Sequence, residues 1–175
     1  MYKRQLVSGQ TRNGKITFEQ YIQAAGFDSI LQAANRHLLP MSDNQFQLYR
    51  QTNAVGKQTN TFLDLEVLDI STGKRRPVGN LSGGESFKAS LSLALGLSDT
   101  IAENRGGIQM DALFVDEGFG TLDSKSLEET KDALLSMSGE NKLVGIISHR
   151  DELMDIPQKL RVTKGRGGSR IQMEL

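Results

Sequence analysis

The chain has 175 residues, 37% hydrophobic and 24% charged, enough for one compact soluble domain with its own core and too few for two ordinary ones. Lys plus Arg equals Asp plus Glu, 21 each, so no overall basic field argues for nucleic-acid or membrane binding by the whole domain, and only local basic patches stay open. Cysteine is absent, which excludes a disulfide framework and any Cys-ligated metal site, and no apolar run approaches the roughly 18 residues that span a bilayer. The N-terminus, "MYKRQLVSGQ", has no apolar core of the secretory kind, so a cytoplasmic location is the default.

Residues 1 to 16 are polar, broken by Gly9 and Gly14, and read as a lead-in. Thr17 is placed to cap a helix running to about Leu39. Phe18, Tyr21, Ile22, Ala25, Ile30, Leu31, Ala34 and Leu38 recur at helical spacing, Gly26 is a weak point, and Pro40 follows the end. "FQLYR" (46 to 50) and "TFLDLEVLDI" (61 to 70) alternate apolar with polar residues and predict antiparallel strands with one wet face. "STGKRRPVGN" (71 to 80) reads as a basic, glycine-containing loop. In the stretch from Ser82 to about Glu103, Leu91, Leu93, Leu95 and Leu97 alternate as in a strand. Length, alanine content and capping residues favour a helix, mostly buried because the leucines spread around it. "ALFV" (112 to 115) is a short buried strand ending in Asp116. Residues 124 to 137 form a helix with Leu127, Leu134 and Leu135 on one face, and "LVGII" (143 to 147) is a second apolar strand ending at Ser148 and His149. "KLRVTK" and "SRIQMEL" flank "GRGG" as a closing hairpin. This order predicts an α/β fold with a mainly parallel core sheet flanked by helices.

Three places carry chemistry. In "LSGGES" (81 to 86), Ser82 and Glu85 have the spacing of a capping box. Gly83 and Gly84 also bare backbone N–H groups at the positive end of a helix, which suits phosphate oxygens, and the two readings are compatible. In "ALFVDEGFGTLD" (112 to 123), an apolar strand delivers Asp116 and Glu117 to the C-terminal edge of a sheet, where α/β proteins bind ligands. Neighbours on a strand point to opposite sides, so Asp116 could hold a hydrated Mg²⁺ while Glu117 faces an attacking water. Solvated acids opening a loop are the plain alternative. In "LVGIISHRDEL" (143 to 153), His149 reaches the same edge if the two strands are parallel neighbours. His37, near a helix C-terminus, is given no function.

These elements together resemble the C-terminal lobe of an ABC-type ATPase head, in the subgroup of the SMC proteins and most of all the SbcC family. "LSGGE" resembles the signature motif, "ALFVDE" Walker B, "GTLD" the D-loop and "ISHRDEL" the switch-histidine region. "LSGGESFKASLSLALGLSD", "DEGFGTLD" and "ITFEQYIQAAGFDSILQAANRHLLPMS" are similar to SbcC in particular, and the resemblance covers about residues 15 to 175. It implies a head that clamps ATP against a second copy. Ser82 would donate to the γ-phosphate held by the partner head, with Gly83 and Gly84 letting amides approach. Asp116 would support Mg²⁺, Glu117 polarise water, His149 sense the phosphate, and Asp123 join the two sites. It further implies double-stranded DNA and an SbcD-type nuclease as partners, DNA-end processing as the task, and a nucleoid-associated, non-membrane location.

No P-loop is present: beside Gly56-Lys57, Gln51 replaces the first glycine and Gln58 the Ser or Thr of Walker A. The resemblance places Walker A in an N-terminal lobe reached through a long coiled coil, with residues 1 to 7 as a remnant of the returning coil and 17 to 175 as the lobe. This chain by itself is therefore expected to be inactive. "GKRRP" (73 to 77) and "KGRGGSR" (164 to 170) read first as solvated loops, with DNA phosphates as the alternative. Three other readings are an SMC-type chromosome-organising head, a non-catalytic dimerisation lobe, and the nucleotide-binding subunit of a transporter. The last carries a shorter spacer than the 34 positions between Ser82 and Asp116.

Overall fold

The computed structural model describes residues 10–11, 14–15, 18–51, 63–104, 111–138 and 143–174. The coil remnant at residues 1 to 7, the Thr17 cap and the Gly56-Lys57 string lie outside them. Two short antiparallel segments, β1 (Gln10–Thr11) and β2 (Gly14–Lys15), precede the first helix.

Helix α1 spans Phe18–Met41 and runs through Gly26 without a break. Leu31, Ala34, Leu38 and Met41 are buried, whereas Tyr21 and Ile22, counted above in its apolar pattern, are exposed. The helix carries Pro40 inside its last turn instead of stopping before it. The bond that residue 40 would donate to the Arg36 carbonyl is lost, and the amides of Ser42 and Asn44 close the end on the carbonyls of Leu38 and Leu39. The sheet beside it is antiparallel, as expected: β3 (Phe46–Arg50) pairs with β4 (Leu65–Asp69), which pairs with β5 (Arg75–Pro77). Asn35 fastens α1 to β3 by donating to the Leu48 carbonyl and accepting from its amide, both at 2.8 Å. Leu31, Leu38, Phe46, Leu48, Val67 and Ala89 form one of the two cores.

Strand β5 was not expected. Within the basic "KRRP" segment, Arg75 stacks over the Tyr49 ring at 4.6 Å and reaches Glu66 at 3.4 Å, so a loop composition conceals a strand held by its side chains.

Helix α2 (Gly83–Asn104) crosses α1 closely enough that a Cβ on Gly96 would meet the backbone of Ala34 and Ile30. His37 on α1 and Asp99 on α2 are 2.7 Å apart across the same contact, which gives this histidine a structural task. Ala89 packs into the first core and Leu91 and Leu95 into the second, while Leu97 is exposed, so α2 is mostly covered, as expected, and keeps one open stripe. Next come β6 (Ala112–Asp116), α3 (Ser124–Met137) and β7 (Leu143–Ile147). β6 and β7 are parallel, in register from Ala112↔Leu143 to Asp116↔Ile147. Leu113, Val115, Val144 and Ile146 turn one face of this pair toward α2 and α3, where Leu91, Leu95, Phe119, Leu127 and Leu134 complete the second core. Leu135 lies outside it, exposed.

The other face of the pair is bare: Phe114, Leu143 and Ile147 are 64%, 59% and 54% exposed. The expected parallel core sheet is thus present as two strands among the described residues, with an apolar face open to solvent. The expected hairpin closes the chain, β8 (Lys159–Gly165) against β9 (Gly168–Glu174). Its pairs Leu160↔Met173 and Val162↔Ile171 present a second uncovered apolar face.

Candidate functional site

The chain builds two clusters, one at the end of the parallel pair and one at the start of α2, joined by the segment from Glu117 to Asp123.

At the first, the Glu117 amide continues the ladder by donating to the Ile147 carbonyl at 2.9 Å. The backbone then turns sharply: Glu117 has φ 55° and Gly118 φ 90°. A left-handed conformation is costly for a residue with a side chain and cheap for glycine. The turn lifts the Glu117 carboxylate to the edge, where its Oε1 lies 3.3 Å from His149 Nδ1, and both side chains are exposed. A shallow depression of about 180 Å³ lies here, lined by Glu117, Gly118, Thr121, Ser148, His149 and Arg150 among others. Asp116 ends β6 and, by strand alternation, shares the bare face with Phe114. Among the described residues no group of three or more His, Cys, Asp or Glu converges to hold a metal. One exposed carboxylate is too little for a cage, but it fits Mg²⁺, which keeps its waters and takes phosphate oxygens as further ligands.

At the second cluster the capping box forms. The Ser82 amide donates to Glu85 Oε2 at 2.8 Å, and the Glu85 amide donates to Ser82 Oγ at 3.3 Å. Arg76 clamps the other oxygen of Glu85 at 2.6 Å and reaches the Asn80 carbonyl at 2.7 Å. The Ser82 hydroxyl proton remains available to donate, and the first-turn amides of Gly83 and Gly84 have no intrahelical acceptor. Burial pushes the Glu85 carboxyl up, but the Ser82 amide and Arg76 outweigh it and hold the pKa below its ordinary value of 4.5. A depressed carboxylate adds stability that is present above its unfolded pKa and is lost as pH falls through its folded one. Glu85→Gln is therefore expected to flatten the acid limb of the stability curve below about pH 4.5 and leave the neutral region less stable, as circular dichroism melts across pH would show.

The two glycines have a use within the lobe as well. A Cβ on Gly83 would lie 3.1 Å from Thr121 Cβ, and one on Gly84 would lie 3.4 Å from Leu122 Cδ2. The helix tip therefore rests on the segment after Gly118. There Asp123 caps α3, its Oδ1 accepting from the Ser126 amide at 2.8 Å. That bond, helped by the charge of Lys88, holds the Asp123 carboxyl below its usual range. Lys88 itself is buried between the helices, at 2.9 Å from Ser126 Oγ and 3.2 Å from Glu129.

Glu117 and His149 thus come together, with Asp116 adjoining Glu117 in sequence. Gly83 and Gly84, next to Ser82, sit against Thr121 and Leu122, and Asp123 opens α3 just beyond. Sequence reasoning missed Arg76, Phe87, Lys88 and Thr121. Only the Ser-x-x-Glu spacing gave a signal, and it does not reveal the arginine that closes the box. Of the basic spots, Arg75 and Arg76 are engaged within the fold, whereas Lys164, Arg166 and Arg170 gather, exposed, at the hairpin end.

A parallel pair whose first strand ends in Asp116, packed on a glycine-tipped helix, is part of a fold shared with solved SMC head domains. A solved chain from work on ATP-driven dimerization and DNA-stimulated activation of SMC ATPases matches with a TM-score of 0.67 at 15% identity, over 88% of each chain. The SMC head domain of Thermotoga maritima matches with 0.57 at 17% identity, over 89% of this chain and 51% of that one. By sequence the chain is similar to the SbcC-like family. Residues 54–135 match the family model described as SbcC/RAD50-like, Walker B motif. The SbcC subunit of the nuclease SbcCD from Staphylococcus aureus strains JH9 and Newman is 43% identical over 159 residues, 90% of this chain but 16% of those relatives. The chain therefore spans about a sixth of their length. No described helix is long and apolar enough to cross a membrane.

Proposed function

We propose that this lobe is the C-terminal half of the ATPase head of an SbcC-like subunit in a DNA-end-processing nuclease complex. Its site is split: it offers the Ser82 tip to ATP held by a second head and keeps Glu117, His149 and Asp116 for the nucleotide of its own head. Mg²⁺·ATP would supply the γ-phosphoryl group together with the charge that offsets its oxygens. Ser82 Oγ donates to the phosphate, and the Gly83 and Gly84 amides add N–H groups at the positive end of α2. Asp116 would hold the metal. Glu117 orients water and accepts its proton, while His149, within reach of that carboxylate, reports on the phosphate. Asp123 joins the two sites across the dimer. Since catalysis of this kind is mostly positioning, dividing the groups between two bodies makes turnover depend on closure, which is how ATP would control the nuclease and double-stranded DNA.

The single observation that carries this reading is the contact between Glu117 and His149 at the end of a parallel pair whose outer face is bare and apolar. Such a face calls for a covering body, and an N-terminal lobe bearing Walker A would cover it while bringing phosphate-binding groups to Asp116. The SbcD-type nuclease enters as a further partner from the name of the relatives. The test is reconstitution: this chain is expected to show no ATP turnover by itself, and adding the N-terminal lobe should produce both a stable 1:1 complex and turnover. A complex that binds ATP without hydrolysing it would support the non-catalytic reading instead.

A further inference from the structure

Gly118 is bare for a reason other than its own backbone. A Cβ built there would run into the Phe87 ring, meeting Cε2 and lying 2.7 Å from Cδ2. Phe87 belongs to the start of α2, five residues after Ser82, and its ring also packs edge-on against the buried Phe119, with centroids 5.1 Å apart at 61°. On the same seam, Gly83 and Gly84 are closed over by Thr121 and Leu122. The turn that carries Glu117 is therefore gripped from the signature helix at Gly118, Phe119, Thr121 and Leu122. Close-packed contacts of this kind transmit displacement instead of absorbing it.

We propose that Phe87 is a positioning residue for Glu117. Its ring occupies the side-chain space of Gly118 and keeps residues 117 and 118 left-handed, so the carboxylate faces the edge beside His149 and moves with the Ser82 tip. This rests on the reading of Glu117 as the group that polarises water. Phe87 touches no reacting atom in this scheme, and it acts on the rate of the chemical step instead of on nucleotide binding.

The test uses the full-length protein with its nuclease partner and measures kcat and KM for ATP together with the melting temperature. Phe87→Leu and Phe87→Ala are expected to lower kcat by about 10- to 100-fold, the range that follows from a small misplacement of a catalytic group. KM should stay within about twofold, because ATP is held mainly by the other lobe. Gly118→Ala should lower kcat as well, by collision with the ring and by a disfavoured φ. Adding Phe87→Ala to Gly118→Ala removes the collision but not the backbone strain, so the double variant should turn over faster than Gly118→Ala alone. The proposal is overturned if Phe87→Leu and Phe87→Ala keep normal kcat, if their kcat falls only in step with lost folded protein, or if the double variant shows simple multiplication of the single losses. Glu117→Gln separates the two levels. Normal turnover in that variant removes the assigned role of Glu117 and this proposal with it. Lost turnover beside unaffected Phe87 variants removes this proposal alone.

Discussion

Glu117→Gln in the full-length protein is expected to lower ATP turnover by about 10²- to 10⁴-fold, the contribution typical of a positioned general base, while ATP binding survives. The substitution is nearly isosteric. Glutamine meets the left-handed φ of 55° at position 117 with the same backbone strain as glutamate, so a change of fold is not the expected cause. The amide can still face His149, from 3.3 Å away in the wild-type arrangement, but it cannot accept a proton from water. Steady-state turnover set beside equilibrium ATP binding and head dimerisation checks the expectation. On this reading the variant should accumulate the ATP-bound, closed dimer. Unchanged turnover would mean that Glu117 is not the base and that the left-handed turn serves another end.

The second large effect is on stability and lies away from the edge. Gly96→Ala should destabilise the lobe although alanine is the better helix former. The propensity gain is about 1 kcal/mol. Against it, the new methyl would lie 2.7 Å from both Ala34 Cα and the Ile30 carbonyl oxygen, and closer still to the Ala34 amide nitrogen. These are backbone atoms of another helix, so no rotamer change relieves the clash and α1 must move. Overpacking costs typically ~1–3 kcal/mol and occasionally more, and a rigid backbone neighbour puts this case at the upper end. A net loss of about 2 kcal/mol corresponds to a fall of roughly 4–8 °C in melting temperature for a domain of this size, readable by calorimetry. Gly96→Val should be worse, because its branches enlarge the clash and it gains less helix propensity. The displaced α1 would drag Asn35 off Leu48 and His37 off Asp99, so the damage should spread into the antiparallel sheet.

Much of this arrangement is legible in the sequence where period and punctuation agree. Residues 46 to 50 and 143 to 147 read as strands, and 124 to 137 as a helix, with no shift of boundary. The reading weakens where tertiary contacts decide. Leu135 and Leu97 follow the apolar pattern yet face solvent, because helical spacing gives the width of an apolar stripe and not which edge of it is covered. β5 was hidden by a basic composition that becomes a strand only when Arg75 finds Tyr49 and Glu66. At the site, the acids, the histidine and the capping box could be located from motif spacing. Phe87 could not: no local pattern tells which ring fills the space that a glycine thirty-one positions later leaves empty.

The reciprocal bonds between Ser82 and Glu85, braced by Arg76, have a consequence for encounter. Ordering a backbone residue costs roughly 1–2 kcal/mol of conformational entropy, and in this turn that loss falls at folding, before any partner arrives. On the proposed reading, a phosphate reaching the tip would meet donors already aimed, and little of its affinity would be consumed in arranging them. In the proposed dimer, each encounter would then begin from a surface that already has its bound shape.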